Sequence, residues 1–179
     1  MKKFAVMADL FRQAQKLGGV LFQFPATFAC TPANEDYLRW AVESLDAIPA
    51  IIEFRHAKWI TDTTMELLRE LGAAYCIVDM PQVRNFPSSR IEVTSDLACV
   101  PFHGQNREQW ASKTATRDQR YDYDYSEEEL KEWVPTLFGL QKKVKETYVL
   151  FNNHYNAKAP ANATLLQRLL FTPAFPPRK

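Results

Sequence analysis

The chain lacks the features that mark several specialised classes of protein. Lysine plus arginine (22) nearly equals aspartate plus glutamate (21) in its 179 residues, so no large net charge attracts it to nucleic acid or an acidic membrane. Its longest apolar runs are far shorter than the roughly 20 residues that span a bilayer, and its start lacks the pattern of a signal peptide. These absences predict a cytoplasmic protein without a membrane partner.

Cysteine and the familiar catalytic motifs are also scarce. The three cysteines are too few and too widely spaced for a disulfide framework or a Cys-x-x-Cys metal site. The chain has no Gly-x-Ser-x-Gly of serine hydrolases, no Gly-x-x-x-x-Gly-Lys phosphate loop, no Gly-x-Gly-x-x-Gly and no His-Glu-x-x-His. The sequence therefore identifies no cofactor, and it leaves open whether the protein is an enzyme.

What the chain does contain is a regular alternation of strand-like and helix-like segments. Short apolar runs predict strands at residues 20–24, 50–54, 74–78, 97–102 and 147–151. Apolar spacings of three and four predict helices around residues 37–45, 65–71 and 130–140, and a final helix is expected at 161–170. Ser126 with Glu129 forms a capping box before the third helix, and Asp62 is expected to cap the second.

This alternation predicts an α/β fold in which helices connect parallel strands and cover the sheet. The strands are almost continuously apolar, as burial on both faces requires. One domain is expected over residues 1–171, since the length suits a single core. A loosely ordered, proline-rich tail is expected at 172–179.

Polar residues follow the carboxyl end of each predicted strand. Parallel strands bring these ends to one edge of the sheet, where barrels and doubly wound sheets bind ligands. The set comprises Gln23, Glu53, Arg55, His56, Asp79, His103, Asn152, Asn153 and His154. The sequence therefore predicts a ligand site at this edge.

Side-chain alternation divides these residues from their large neighbours, because successive strand residues face opposite sides. One face is expected to carry polar groups, namely Gln23, Glu53, Arg55, Asp79, His103 and Asn152. The other face is expected to pack against the helices with Phe22, Phe54, Val78, Phe102 and Phe151. In a barrel, the polar face would line the mouth.

Each polar residue also has a purely structural interpretation. Glu53 and Arg55 can form a partly buried ion pair, and Asp79 can cap a turn. Asn152 and Asn153 can bond to loop backbone. Burying so many polar groups at separate strand ends is nevertheless costly unless they bond one another or a ligand, which favours a ligand site.

Two kinds of chemistry suit this set. The histidines with Glu53 or Asp79 can form a mixed metal site, although their spacing is nonspecific. A metal-free site is favoured, in which the acid or base comes from the catalytic candidates Glu53, Asp79, His103 and His154. Arg55 would hold an anion. The expected substrate contacts are Gln23, Arg55, His56, Trp59, Asn152, Asn153 and Tyr123.

This interpretation predicts a hydrolase or lyase that acts on a small anionic or sugar-like molecule. A binding module without catalysis is the alternative, because basic and aromatic residues interleave in residues 105–125 and can clamp a nucleotide or nucleic acid. Acidic residues in the same loop dilute that signal, and a solvated lid also accounts for the pattern.

Five motifs, taken in order, resemble the YecE-like family, catalogued as domain of unknown function 72. They are Leu-Phe-Gln-Phe-Pro from residue 21, Glu-Phe-Arg-His from residue 53 followed by Trp59, Phe-His-Gly from residue 102, Tyr-Asp-Tyr from residue 121, and Phe-Asn-Asn-His from residue 151 with Asn162 and Ala163. The resemblance covers nearly the whole chain. It implies a TIM-barrel fold and no established activity.

Two departures from the family pattern matter. Members carry about three further strand and helix units before the first motif, which implies that this chain corresponds to strands four to eight of the barrel. Such a piece would have open edges and is expected to self-associate or to bind a partner. Pro101 stands where members commonly have arginine, and it removes a ladder donor and a cation. An inactive, truncated remnant is therefore a further interpretation.

Overall fold

A computed structural model gives the structure of residues 2–84 and 86–171, in which strands alternate with helices. The strands are β1 Val20–Phe24, β2 Ala50–Phe54, β3 Ala74–Tyr75, β4 Leu97–Phe102 and β5 Glu146–Phe151. The helices are α1 Lys2–Gln13, α2 Pro32–Glu43, α3 Asp62–Glu70, α4 Arg107–Ala111, α5 Arg117–Arg120, α6 Glu127–Gln141 and α7 Lys158–Phe171, and 3₁₀ turns occur at Ala57–Trp59 and Tyr155–Ala157. The predicted tail at 172–179 lies outside the described residues.

All the strand pairs are parallel, which confirms the α/β class. β1, β2 and β3 pair in that order, and β4 pairs with β5. Isolated bridges from Cys76 to Cys99 and from Asp79 to Phe102 join the two groups. Within residues 2–84 and 86–171, β1 and β5 each pair on one side, and no closed barrel forms.

Pro101 explains why β3 ends at Tyr75 and does not reach the predicted residue 78. On this side of β4, Ile77 N donates to Cys99 O (2.8 Å) and Asp79 N donates to Pro101 O (2.9 Å). A residue with an N–H at position 101 would add the bond between these two, to the carbonyl of Ile77, and proline has no such donor. The ladder is interrupted there, while β4 keeps its full pairing register with β5.

Side-chain caps set where the helices begin. Ser126 and Glu129 form the predicted capping box before α6. The prediction for Asp62 is wrong, since the Thr61 hydroxyl accepts from Thr64 N and Asp62 is the first residue of α3. The Asp62 carboxylate instead accepts a hydrogen bond from Arg90 (2.7 Å). A hydroxyl at the cap position satisfies a free N–H of the first turn.

Two apolar clusters lie on opposite faces of the sheet. The larger cluster packs the sheet against the helices and includes Phe54 and Phe102, with Phe22 and Phe151 at its margin. The prediction for Val78 is wrong, because Val78 belongs to the smaller cluster with residues such as Cys76, Cys99 and Trp110. Tyr75 and Ile77 belong to the helix-facing cluster, so alternation carries Asp79 to that side instead.

Among the strands, the exposed residues lie on the two edge strands. Leu21 of β1 and Leu150 of β5 are 44% and 41% exposed, whereas every residue of β2 and β4 is buried. Helix α1 also leaves Phe4, Met7 and Leu10 exposed. The buried strands β2 and β4 lead into three buried residues of the predicted site, Glu53, Arg55 and His103.

Candidate functional site

A buried cluster of three charged or polar side chains lies where β2 and β4 end. Arg55 Nε donates to Glu53 Oε1 at 2.5 Å, and His103 Nε2 lies 3.2 Å from the same oxygen. Arg55 Nη2 is 3.1 Å from His103 Nε2. Among the described residues, the second carboxylate oxygen, Glu53 Oε2, has one hydrogen-bond donor, the weakly donating Cys76 thiol at 4.0 Å. We call Glu53, Arg55 and His103 the central cluster.

The environment fixes the charges of the central cluster. Burial alone raises the pKa of Glu53, but the His103 hydrogen bond and the Arg55 charge outweigh burial and hold that pKa below its ordinary value of 4.5. Burial, assisted by Arg55, holds the pKa of His103 below 6.5 although Glu53 opposes the shift. At neutral pH the cluster is a carboxylate, a guanidinium and a neutral imidazole.

Asn152 completes the surroundings of His103. The Asn152 Nδ2 atom lies 3.2 Å from His103 Nδ1. Since the ionised Glu53 can only accept, a proton on Nε2 donates to it and Nδ1 accepts from Asn152. The approach of Arg55 Nη2 to Nε2 is then a contact between two donors and not a hydrogen bond. Both ring nitrogens are thereby engaged, and the side chain is fully buried. This geometry suits a residue that positions its neighbours.

Two aromatic residues of the loop after β4 cover Arg55. The Arg55 Cζ atom lies 5.5 Å from the centroid of the Trp110 ring, which gives a cation–π contact. Arg55 Nη2 also donates to the Tyr121 hydroxyl at 3.4 Å. Among the residues with described side chains, Arg55 Nη1 has no hydrogen-bond partner. Sequence reasoning named neither Trp110 nor Tyr121 as a site residue, although both stood in the aromatic and basic loop pattern.

Asp79 belongs to a separate cluster on the helix-facing side. Its Oδ2 accepts from the Tyr125 hydroxyl (2.5 Å), and its Oδ1 accepts from Gln105 Nε2 (2.8 Å). Burial raises the pKa of Asp79 above its ordinary value of 3.8, because the two hydrogen bonds only partly offset the missing solvation. The Tyr125 hydroxyl in turn accepts from Gly104 N at 2.7 Å. We call Asp79, Gln105 and Tyr125 the Asp79 cluster.

Gly104 allows the loop to pass close to the end of β4. Its φ is +89°, and a Cβ at this position would lie 2.5 Å from Tyr123 Cβ, so only glycine fits. The Tyr123 hydroxyl donates to Glu129 of α6. Tyr123, which was expected to contact substrate, thus holds the loop against α6 in this structure.

Asn153 and Asn162 attach the same loop to α7. Asn153 Nδ2 donates to Tyr123 O (2.9 Å) and to Asn162 Oδ1 (2.6 Å). Asn162 accepts from Tyr125 N (3.2 Å) and donates to Tyr125 O (3.1 Å). Both asparagines are buried. Their contacts are structural, and they keep Tyr125 in place for Asp79.

Within residues 2–84 and 86–171, the remaining candidates make no hydrogen bond to the central cluster. Trp59 is 1% exposed, stacks on Phe54 and donates to the carbonyl of Phe28, so it belongs to the core. His56 Nδ1 accepts from Lys58 N and caps a 3₁₀ turn. His154 is exposed, with Nε2 3.4 Å from Asp118. Gln23 is exposed and is the register partner of Glu53.

The aromatic rings of residues 105–125 mostly pack inwards. Trp110 contacts Phe86 and Tyr121 through its ring, and Tyr125 packs against Phe102. Trp110 and Tyr125 are buried, so neither presents a free face on which a base can stack. The basic side chains Arg107, Lys113 and Arg117 are exposed.

In residues 2–84 and 86–171, no three His, Cys, Asp or Glu side chains come together as a potential metal site. Each histidine has a different environment: His56 caps a 3₁₀ turn, His103 is buried in the central cluster, and His154 is exposed. No helix in the same part of the chain is long and apolar enough to cross a membrane.

The fold and the site define a parallel α/β protein with a buried polar cluster at the carboxyl edge of its sheet. The chain belongs to the DUF72 family, since the family described as "Protein of unknown function DUF72" matches residues 1–178. It is 32% identical over 176 residues to the UPF0759 protein YunF of Bacillus subtilis (strain 168), a match that covers 93% of this chain.

Solved structures of the same family resemble it closely. A DUF72 family protein of Thermotoga maritima MSB8 superposes with a TM-score of 0.88 at 36% identity over 94% of this chain. One from Enterococcus faecalis V583 gives a TM-score of 0.84 at 29% identity over 89% of it. The chain spans 62% of the Bacillus protein and 64% and 61% of these two structures.

Proposed function

We propose that the carboxyl edge of the sheet binds a small anionic or sugar-like substrate and catalyses a hydrolytic or lyase reaction by acid–base chemistry without a metal. One observation carries this proposal. Two buried carboxyl groups, Glu53 and Asp79, have pKa values shifted in opposite directions by their surroundings. Such a divergence is what separates an ionised carboxylate from a proton-donating acid in acid–base enzymes.

The contacts suggest a division of roles. Arg55 is the anion anchor, because its Nη1 group is uncommitted among the described side chains while Glu53 and Trp110 hold the guanidinium in place. Asp79 is the acid or base, and the half-buried Gln105 amide is the partner that a substrate can displace. His103 is a positioning residue for Glu53 and Arg55. Gln23, Asn152 and His154 are further residues proposed to contact the substrate.

We further propose that the sheet is the later part of a TIM barrel that lacks the first three strand and helix units. Supporting this, the chain spans 61–64% of its relatives, close to about five eighths of an eight-stranded barrel. The one-sided pairing of β1 and β5 and the exposure of Leu21 and Leu150 agree with it. The open edges are then the surface for self-association or for a completing segment.

A substrate screen with matched variants tests the catalytic assignment. Sugar acids, sugar phosphates and nitrophenyl glycosides are incubated with the protein, and products are followed by proton NMR. Asp79→Asn is expected to lower the rate of any detected reaction by about 100-fold or more. The control is Glu66→Gln, an exposed carboxyl on α3. If Asp79→Asn and Glu53→Gln react as fast as the control, these roles must be abandoned.

A further inference from the structure

One tyrosine spans the face of the sheet that carries the smaller apolar cluster, which we call the inner face. Tyr148 of β5 packs against this cluster, and its hydroxyl donates to Glu146 Oε2 at 2.6 Å. The same hydroxyl reaches the backbone just before β1, because a Cβ added at Gly18 would overlap it. The first and the fifth strand therefore face each other across an interior that a single side chain spans.

This span indicates how strongly the sheet curves. A barrel of eight strands has an interior just wide enough for side chains to fill, and the diameter grows with the number of strands. In a ring of eight, the first and the fifth strand stand opposite each other. The five strands here pair or bridge in chain order from β1 to β5. The curvature therefore leaves a gap of three strands between β5 and β1.

Both layers of the fold leave apolar side chains exposed beside this gap. In the sheet, Leu21 of β1 and Leu150 of β5 are exposed. Helix α1 leads into β1 and helix α7 follows β5, so they stand at the two ends of the helix layer. Helix α1 exposes Phe4 and Leu10, and α7 exposes Phe171. Exposed apolar patches mark interaction sites, and a partner that covers this one must supply helices as well as strands.

We infer that the gap binds a second polypeptide made of three parallel strands with their connecting helices. Its outer strands pair with β1 and β5, and its helices cover α1 and α7. This inference rests on the barrel arrangement proposed above and names the partner for its open edges. Closure would also enclose the central cluster, because Glu53 and Arg55 contact Cys76 and Trp110 of the inner face.

A second copy of this chain does not suit the gap. It would bring five strands to a space for three and make a ring of ten. The diameter of such a ring exceeds that of an eight-stranded barrel, and the first and the fifth strand would no longer stand opposite each other. The contact between Tyr148 and Gly18 would then be lost.

Co-expression tests the inference. The probe is the part of the Thermotoga maritima DUF72 protein that lies outside its superposition on this chain, which spans 64% of that protein. The probe carries an affinity tag, and the remainder of its own protein is the positive control. We expect this chain to co-purify with the probe as a one-to-one complex, with its mass measured by light scattering.

Two substitutions locate the contact. Leu150→Lys places a charge on the open edge of β5, and it is expected to lower the amount of co-purified chain at least about tenfold, because charged side chains oppose pairing at sheet edges. Ile91→Lys, at an exposed isoleucine outside the strands, is the matched control and should co-purify like the unmodified chain. Should Leu150→Lys fail to fold, Leu21→Lys places the same charge on the edge of β1.

The outcomes separate this inference from the proposed chemistry. If the probe binds the remainder of its own protein but not this chain, the inference is overturned. A dimer of this chain that excludes the probe also overturns it and identifies a second copy as the partner. Equal co-purification of Leu150→Lys and Ile91→Lys would contradict binding at the edge strands. The catalytic roles of Glu53 and Asp79 are tested separately by the substrate screen.

Discussion

The central cluster and the Asp79 cluster both place a buried carboxyl at the carboxyl edge of the sheet, yet they treat it differently. Glu53 has a guanidinium at 2.5 Å and stays ionised. Asp79 has only neutral donors, Tyr125 and Gln105, and burial raises its pKa. At Glu53 the His103 hydrogen bond and the Arg55 charge together outweigh desolvation, whereas at Asp79 two neutral hydrogen bonds do not.

Removing the cation should have the largest effect on this comparison. Arg55→Met leaves the Glu53 carboxylate buried and unpaired, and we expect it to lower the free energy of unfolding by about 3–5 kcal/mol. Urea denaturation measures the loss. The double variant Arg55→Met with Glu53→Leu should recover much of it, because no uncompensated charge remains. Arg39→Met, at a half-buried arginine of α2 that pairs with Glu35 and Glu70, is the control, since surface ion pairs contribute about 0–1 kcal/mol. A loss below about 1 kcal/mol for Arg55→Met would contradict a tight buried pair.

A smaller loss is expected where the loop of the Asp79 cluster is held to α7. Asn162→Ala removes buried hydrogen bonds to the backbone of Tyr125, and it should lower the free energy of unfolding by about 1–3 kcal/mol. Gln167→Ala, at an exposed position of the same helix, should have little effect. Equal effects of the two substitutions in thermal unfolding would show that the asparagine contacts do not hold the loop.

The two carboxyls should also give opposite pH dependences of stability. The pKa of Glu53 is lowered in the folded state, so its contribution is present above 4.5 and is lost as pH falls through the folded-state value. The pKa of Asp79 is raised, so its contribution is present below 3.8 and is lost as pH rises through the folded-state value. The stability deficit of Glu53→Gln should therefore shrink in acid.

Asp79→Asn should show the opposite trend. As pH rises from acid towards neutral, ionisation of the buried Asp79 carboxyl lowers the stability of the unmodified protein. The amide of Asp79→Asn does not ionise, so this variant should become more stable relative to the unmodified protein. Urea unfolding at a series of pH values compares the two variants directly. Parallel trends for Glu53→Gln and Asp79→Asn would mean that the two environments do not differ as described.

The smallest expected effect concerns the backbone hydrogen bonds between residues 77–79 and β4. Pro101→Val restores an N–H that can donate to Ile77 O, and we expect a net gain of about 1 kcal/mol or less because the unfolded chain also becomes more flexible. Pro25→Ala, at an exposed proline after β1, adds no ladder bond and should not stabilise. An amide at position 101 that exchanges freely with deuterium would show that no bond forms.

Much of the fold follows from local pattern. β1, β2 and β4 have the predicted bounds to the residue, and β5 begins one residue early, at Glu146. Short apolar runs suffice to locate strands that are buried in a parallel sheet. The Ser126 and Glu129 capping box is equally local. These features depend on residues that are neighbours in sequence.

Other features depend on contacts that sequence patterns do not carry. Helix α1 was not predicted, and its exposed Phe4, Met7 and Leu10 do not form a simple buried stripe. β3 is short because of Pro101, which lies on a different strand. The short helices α4 and α5 lie in the segment that the sequence predicts to be a loop.

The site was predicted in part. Alternation correctly placed Phe54 and Phe102 against the helices, but it assigned Asp79 to the wrong face. Trp110 reaches Arg55 across 55 positions of sequence, and no periodicity signals such a contact. The Tyr-Asp-Tyr motif at residue 121 was the available signal for Tyr121, and the interleaved loop pattern was the signal for Trp110.

The central claim is that the two buried carboxyls have pKa values on opposite sides of their ordinary values, and their side-chain carboxyl carbons report this directly. In a carbon NMR titration, Glu53→Gln and Asp79→Asn assign the two signals. The Glu53 signal should change with a midpoint below 4.5, and the Asp79 signal with a midpoint above 3.8. A Glu53 midpoint at or above 4.5, or an Asp79 midpoint at or below 3.8, would contradict the account.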